Sequence, residues 1–543
     1  MKYVLIILAM LVNPWSEPSA EPASIVKTRT LTANVATTKD KKLYVAHAQA
    51  DLSVIGWEKN EIVAEAAVEV KTDNEQEAAE YLNALALTLE PYQNGFRLNW
   101  QRPKRMEPAN QRLLSRLGRW LSGEGDQYSM SVRIKIKVPN RFGLSLDNEY
   151  GLVDVLGVTG EMEIRNTSGE VNINDCGGLL DIRNEYESSS INNFNGTVHV
   201  ENSSGRVDVR NIAGAVRVEN SYERVTFANL QAGLIIKSES GEVRGRQVKG
   251  DCNITTSYQS VDVHDIVGRL TVNSTSGAVR VSNVTQTVDI QASYAQVDVD
   301  SISSNLVVAC ESGAVNGRYI KGKATVRNSY EAVRLEQVGG AVDVTGSSST
   351  VQIRNVEGDV KAITSYNPVE VEGVKGKVTI EAESAEVTVR DINADVSVAS
   401  SYNPIQVSTI KGHVQINGQS SAVTAEDIAG DVRIDNSYGD VAIRRSSGAI
   451  VVTSESSPVE VKEIKKLAKP SYISITTSSN PITLFLPGFV SIALAAKTEY
   501  GKIRSDYPVY LDEPEKAGSR PALDRQGIPV HLQTDGDITV RKQ

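Results

Sequence analysis

Nine tyrosines recur at intervals of 36 residues, at positions 150, 186, 222, 258, 294, 330, 366, 402 and 438. An aromatic ring with a hydroxyl handle packs its apolar face against a flat ligand while its other end stays wet. An even row of such rings is therefore a stacking surface for a glycan or a peptide. Tyr222, Tyr258, Tyr294, Tyr330, Tyr366 and Tyr402 are the candidate contact residues. A second cluster lies nearer the amino terminus. Arg102, Lys104, Arg105, Arg112, Arg116 and Arg119 stand against one acid, Glu107, in a stretch ending at Trp120. Leu113, Leu117 and Leu121 at i, i+4 and i+8 give that stretch the pattern of a short amphipathic helix. Its basic face and Trp120 suit an anionic membrane or glycolipid surface. A helix that plugs the end of the fold, with its Arg face solvated, accounts for the same residues.

Catalytic and metal-binding patterns are missing. The histidines, 47, 199, 264, 413 and 531, are far apart and form no metal-ligand spacing with Cys or carboxylates. There is no Gly-Lys-Ser/Thr phosphate loop, nucleophile elbow or calcium-binding nonapeptide. Carboxylates do recur at a fixed interval: Arg318, Glu336, Arg354, Glu372, Arg390, then Ser408, Glu426 and Arg444, each 18 residues apart. Alternating signs on adjacent rungs pair with one another, a structural use of charge. The expectation is a protein that is not an enzyme, with no cofactor and no metal. The alternative, a carbohydrate-active solenoid enzyme, needs carboxylates converging in a groove.

These residues are placed by an internal repeat, the first thing to look for in such a chain. From about residue 142 to 465 the sequence repeats every 18 residues without insertion, counted from corners such as Gly160, Gly178, Gly196, Gly214, Gly250 and Gly268. Positions 2 and 4 after each corner are apolar, as in Val216 and Val218, and so with few exceptions are positions 11 and 13, as in Val207 and Val209. Alternation of period two marks a strand with one buried face. A further apolar site at position 16, as in Ile266 and Ile302, plugs the corner. No unit buries its apolar face alone, so the units stack as parallel coils. The spacing excludes a left-handed hexapeptide helix, which needs an anchor every six residues. Tyr occupies position 8 in alternate coils, and Ser-Gly occupies the intervening ones, as in Ser240-Gly241. Counting parity from positions 2 and 4 turns the Tyr inward or along the edge, covering the small Ser-Gly of its neighbour and filling a narrow core. That reading competes with the stacking surface.

The Ser-Gly-x-Val units, such as Ser168-Gly169-Glu170-Val171, come with an opening segment Ala50-Asp51-Leu52-Ser53-Val54-Ile55-Gly56-Trp57, a strand over residues 132–138 followed by Pro139, and a closing Thr534-Asp535-Gly536-Asp537-Ile538-Thr539-Val540. In these features the chain resembles the bacterial putative-adhesin family, exported β-solenoids catalogued as a domain of unknown function. The resemblance implies a solenoid, an adhesive role, and a link to cell-envelope stress in some relatives.

Length, charge and termini complete the expectation. The 543 residues carry a formal charge of −10 and 5% aromatic residues, which argues against nucleic acid because phosphate binding needs a basic footprint. Lys2, the apolar run 3–12 and the small residues ending at Ala20 form a signal peptide, and that run is too short to span a bilayer. Cys176, Cys252 and Cys310 are too few for a disulfide framework and fall mostly on core positions. The sequence thus predicts an all-β fold: a single long parallel β-solenoid (β-helix) of 18-residue coils over residues 142–465. A signal peptide occupies 1–20, a small α+β cap 24–141, and an irregular β cap 466–543. Strands are expected near 42–46, 62–70, 96–100 and 130–138, a helix at 75–85, irregular coils near 473–486, 494–505 and 530–540, and an exposed loop at 512–527. Function is expected to be structural, adhesin-like or binding, in the periplasm, outer envelope or outside the cell. The partner is an envelope protein or glycan, with a membrane-surface contact through residues 102–120 as a third reading, and the chain is expected to be a monomer.

Overall fold

Val is the commonest residue of the repeat and with Ile fills most of its inward positions, and their branched Cβ atoms favour a pleated, half-buried strand over a helix. The computed structural model describes residues 25–72, 75–102, 129–467, 470–510 and 527–543. It separates into two compact units, residues 1–183 and 184–543. The fold is an all-β parallel solenoid of 18-residue coils.

In the second unit each coil contributes two strands. After Gly214 these are Val216–Asn220 and Val225–Leu230. Each pairs in parallel with its counterpart in the next coil, Val216 with Leu234 and Val225 with Val243. The same offset of 18 residues carries the first strand from Val198 through to Ile450. Positions 2, 4, 11, 13 and 16 point inward as ladders of identical rows, so that Val225, Val243, Val261 and Val279 are each 0% exposed.

Two features of the coil hold these rows in place. Position 15 takes a left-handed backbone in coil after coil, with φ between 54° and 61° from Asn193 through Asn211, Asn229, Gln247 and Asp265 to Asn283. Asn and Asp tolerate this region better than other side chains. The kink acts as a bulge: strict alternation after position 13 would turn position 16 outward, and the extra residue returns it to the core. Position 6 carries a buried polar row that includes Asn202, Asn220, Ser238, Thr256, Ser274, Asn328, Ser400 and Asn436. Several of its members bond to the backbone of the turns in their own coil or the preceding one. The Ser238 hydroxyl donates to Gly241 O and accepts from Gly241 N, both at 3.1 Å. Asn328 Nδ2 donates to Gly313 O at 2.7 Å while its Oδ1 accepts from the Tyr330 and Glu331 amides at 3.1 Å. Corner carbonyls and amides that would otherwise be buried without partners are satisfied in this way.

The second unit closes with coils out of chain order. Ile473–Thr476 and Ile482–Leu486 pair with the preceding coil at an offset of 23 residues, Ile450 with Ile473 and Val459 with Ile482. The final strands, Ile528–Gln533 and Ile538–Lys542, then pair on one side with that coil, and on the other with Ile492–Lys497 and Ile503–Ser505. The carboxy-terminal segment is thus held between two coils. Tyr507 ties the closure, its hydroxyl reaching Leu486 O at 3.2 Å and Pro487 O at 3.1 Å. Residues 511–526, where the exposed loop was expected, lie outside the described residues.

The first unit shows the same device. Its elements are β1 (Ile25–Ala36), β2 (Lys42–Val45), β3 (Asp51–Trp57), β4 (Glu61–Thr72), α1 (Glu75–Asn83), β5 (Ala86–Tyr92), β6 (Gly95–Gln101), β7 (Ser129–Pro139), β8 (Gly143–Tyr150), β9 (Val153–Leu156), β10 (Thr159–Ser168) and β11 (Val171–Asn184). The pair β2/β3 is a solenoid coil, with Leu43 and Val45 in register with Leu144 and Leu146, and Leu52 and Val54 with Val153 and Val155. Its other side carries β6 and β7. Counted from Lys41, the buried residues fall at positions 2, 4, 11 and 13, the spacing of the later coils. The sequence reading had left β2 and β3 in the cap because the chain departs for β4–β7 before returning at residue 142. An antiparallel set, β1 on β4 and β4 on β7, lies beside these coils, and α1 packs on β1 and β4. The 12-residue strand β1 had not been expected.

Candidate binding face

The Tyr row is on the surface. In the second unit Tyr186, Tyr222, Tyr258, Tyr294, Tyr330, Tyr366, Tyr402 and Tyr438 are between 52% and 65% exposed, and Tyr150 in the first unit is 60% exposed. The expectation that they turn inward or fill along the edge is corrected. In most coils of the second unit the first strand ends at position 6 and the chain bends over positions 7–9, as at residues 257–259; at Tyr438 the strand runs on to the ring, which is exposed all the same. Parity counted through a bend no longer says which way a side chain points. The small residue of the intervening coils has a different cause. A Cβ on Gly241 would stand 1.9 Å from Glu223 O, and one on Gly277 1.8 Å from Gln259 O. Those carbonyls belong to the residue after Tyr222 and Tyr258, so each Ser-Gly corner nests directly on the backbone of a Tyr corner. In the coils that carry Gly here, backbone contact between corners keeps the intervening residue small. Later coils keep the residue small and buried, with Ser349, Ala385, Ser421 and Ser457 in place of Gly.

Beside this corner runs a shallow groove of about 630 Å³, lined by residues 255–257, 273–275, 291–293, 309–311, 327–329 and 345–347. These are positions 5, 6 and 7 of six successive coils. Thr255, Ser257, Asn273, Thr275, Gln291, Ser293 and Ser329 make it a surface of hydroxyls and amides, with Glu311 and Arg327 as its only charges. Tyr258, Tyr294 and Tyr330 directly follow the lining residues Ser257, Ser293 and Ser329. The groove escaped the sequence reading, although its signal was present in the Ser, Thr, Asn and Gln that recur at positions 5 and 7.

The opposite strand carries charge. Glu372 sits between Arg354 at 3.5 Å and Arg390 at 2.7 Å, and Arg354 also reaches Glu370 at 3.1 Å. The expected cross-coil pairing is present there. The hydrogen bond from Arg390 holds the Glu372 carboxyl below its ordinary value. His199, His264 and His413 each lie near a different carboxylate: Glu201 at 3.6 Å, Asp265 at 2.9 Å and Asp431 at 3.4 Å. They do not converge. Among the described residues no three His, Cys, Asp or Glu side chains are grouped to hold a metal ion.

The three cysteines are free and buried. Burial raises all three thiols and pushes Cys252 up to about 12, so they are poor nucleophiles. Of the basic cluster, only Arg102 falls within the described residues; it donates to Gln49 Oε1 at 3.1 Å and to Gln49 O. Lys104, Arg105, Arg112, Arg116, Arg119 and Trp120 lie outside them, as do residues 1–24 with the expected signal peptide.

Residues 320–541 match the Toastrack DUF4097 family model. The match takes in the later Tyr coils and the closing segment 534–540, and over that stretch supports the resemblance to an adhesin-like solenoid family of unknown function. Residues 50–57 and 168–171, which carry the same resemblance, precede it. No curated protein matches the chain. One solved structure, described as a "putative cell adhesion protein" from Clostridium sporogenes, aligns with 42% of this chain and all of its own at 11% identity. Its TM-score of 0.18 is too low to carry any argument.

Proposed function

We propose that this protein is an exported, non-catalytic solenoid of the bacterial cell envelope or surface that binds an extended partner along its Tyr corner. One observation carries the reading: eight rings of the second unit stand exposed at one coil position, every second coil. Exposed aromatic side chains are costly to leave in water and are enriched where proteins meet partners. Regularity supports binding over catalysis, because a solenoid enzyme breaks its array with long loops that build a cleft, and these coils run in steps of 18 from Val198 to Ile450. On the opposite strand Glu370 and Glu372 are engaged by Arg354 and Arg390. Export is part of the proposal and rests on the residues 1–20 reading.

Cosedimentation with isolated insoluble envelope material tests it. The wild-type chain is expected to sediment, and a Tyr258→Ala/Tyr294→Ala/Tyr330→Ala variant to stay in the supernatant while melting at the same temperature. Equal sedimentation of the two, or release of reducing ends from the material by the wild type, contradicts the reading.

A further inference from the structure

We infer that the ligand of the Tyr corner in the second unit is a linear, β-linked, uncharged polysaccharide lying along the direction of coil stacking, one disaccharide to every two coils. The inference rests on the binding role proposed above and names its ligand class.

Spacing is the first argument. Parallel strands lie about 4.8 Å apart, so rings in alternate coils recur every ~9.6 Å. In an extended β-linked glycan each pyranose is turned over relative to the last, so every second sugar presents the same face. The ring of C–H bonds on that face packs on an aromatic face, and the interval between like faces is one disaccharide. A row with a ring on every coil would not match such a chain. The corner rings also make no ring contacts with one another; the one aromatic pair among the described residues is Tyr44 with Tyr92 in the first unit. Each corner ring therefore keeps its surface for a ligand.

Lining is the second argument. Sugar hydroxyls need neighbours that both donate and accept, and Ser, Thr, Asn and Gln side chains do so. The groove beside Tyr258, Tyr294 and Tyr330 is built of these residues, and its two charges, Glu311 and Arg327, cancel. That lining offers nothing to select a polyanion, consistent with a chain of formal charge −10.

A peptide is the rival. An extended strand rises about 3.3 Å per residue, so about three residues separate neighbouring rings and opposite faces would meet them. A polyproline II helix fits the interval better, at three residues of ~3.1 Å per turn. Sites for that helix wedge it between closely set aromatic side chains, whereas these rings are isolated and flanked by hydroxyls. The glycan accounts for both spacing and lining.

Isothermal titration with β-1,4-linked N-acetylglucosamine and glucose oligomers of two to eight rings tests the assignment, with α-1,4-linked glucose oligomers and a polyproline peptide as the other arms. Affinity is expected to rise as each pair of β-linked sugars is added, because each pair engages one more Tyr on the same chain. Tyr222→Ala/Tyr294→Ala/Tyr366→Ala/Tyr438→Ala, which leaves no two neighbouring rings of the second unit from Tyr222 onward intact, should weaken the longest oligomer by about 2–10-fold per ring lost beneath it, and Phe at the same four positions should retain most of the binding. Equal binding of the α-linked oligomers, affinity independent of length, binding of the polyproline peptide instead, or no binding in any arm overturns the glycan. If no oligomer binds yet the wild type still sediments with envelope material and the Tyr variant does not, the ligand class is wrong and the binding face stands.

Discussion

The regular coils of the second unit and its closing coils solve different problems with the same rows of aliphatic side chains. Between Val198 and Ile450 every coil touches the one before and the one after it in chain order. Stability there is a sum of similar local terms, which leaves the outward corner free to carry the Tyr row. In the closing coils the order breaks: the strands after residue 527 sit between coils that precede them in sequence. The 36-residue Tyr interval ends at Tyr438, before that change. Placing these last strands inside the stack gives each of them two neighbours. The first unit does likewise with β2/β3, held between β6/β7 and β8/β9. Regular coils present a surface, and interleaved coils hold the ends.

Removing residues 528–543 puts this contrast under the largest strain. The segment buries Ile528, Val530, Leu532, Ile538 and Val540. At ~2 kcal/mol per aliphatic side chain the loss is on the order of 10 kcal/mol. Hydrogen exchange should show protection lost at 473–505 and kept over the regular coils, where buried Cys252 and Cys310 should stay unalkylated until global unfolding. Loss of protection through the whole array would show that the regular coils depend on the closure.

Within the regular coils, Gly277→Val forces a Cβ onto Gln259 O and should cost about 1–3 kcal/mol in chemical denaturation. Gly488→Ala, whose nearest neighbours would be Lys542 side-chain carbons at 3.9 Å and 4.0 Å, should cost under about 0.5 kcal/mol. Equal effects would remove the corner-on-corner explanation of the alternation.

A smaller effect is expected on the charged strand. Arg390→Ala should lower stability only slightly near neutral pH, because exposed ion pairs are screened by solvent. Because Arg390 holds the folded-state pKa of Glu372 below its unfolded value, that stabilisation is present above the unfolded value and is lost as pH falls through the folded one. The gap between variant and wild type should therefore be constant above about pH 5 and close in more acid solution. A gap that widens in acid would contradict the pairing.

How far the sequence could be read divides along similar lines. Positions 2, 4, 11, 13 and 16 announced the coil because burial leaves an apolar residue there in nearly every repeat. Position 15 is regular in backbone angle but less so in sequence, with Asn193, Asn211, Asn229 and Asn283 alongside Gln247, Tyr319 and Thr409, so its signal went unread. The coil at Lys42–Trp57 was hidden by the excursion through β4–β7, although Leu43, Val45, Leu52 and Val54 keep the spacing. The Tyr row was recognised, but its direction was not: alternation predicts a face only while the strand continues, and in most coils the strand stops at position 6. The groove was missed because Ser, Thr and Asn at positions 5 and 7 resemble ordinary solvated residues until six coils align them.

The smallest stability change is the one that bears most directly on the whole account. Thermal and chemical unfolding of Tyr258→Ala/Tyr294→Ala should match the wild type within about 0.5 kcal/mol per site, the usual range for exposed positions, because both rings lie more than half in solvent. A loss of several kcal/mol per ring, the cost of emptying a core aromatic, would mean that these tyrosines hold the coils together and that the exposed row is not a recognition surface.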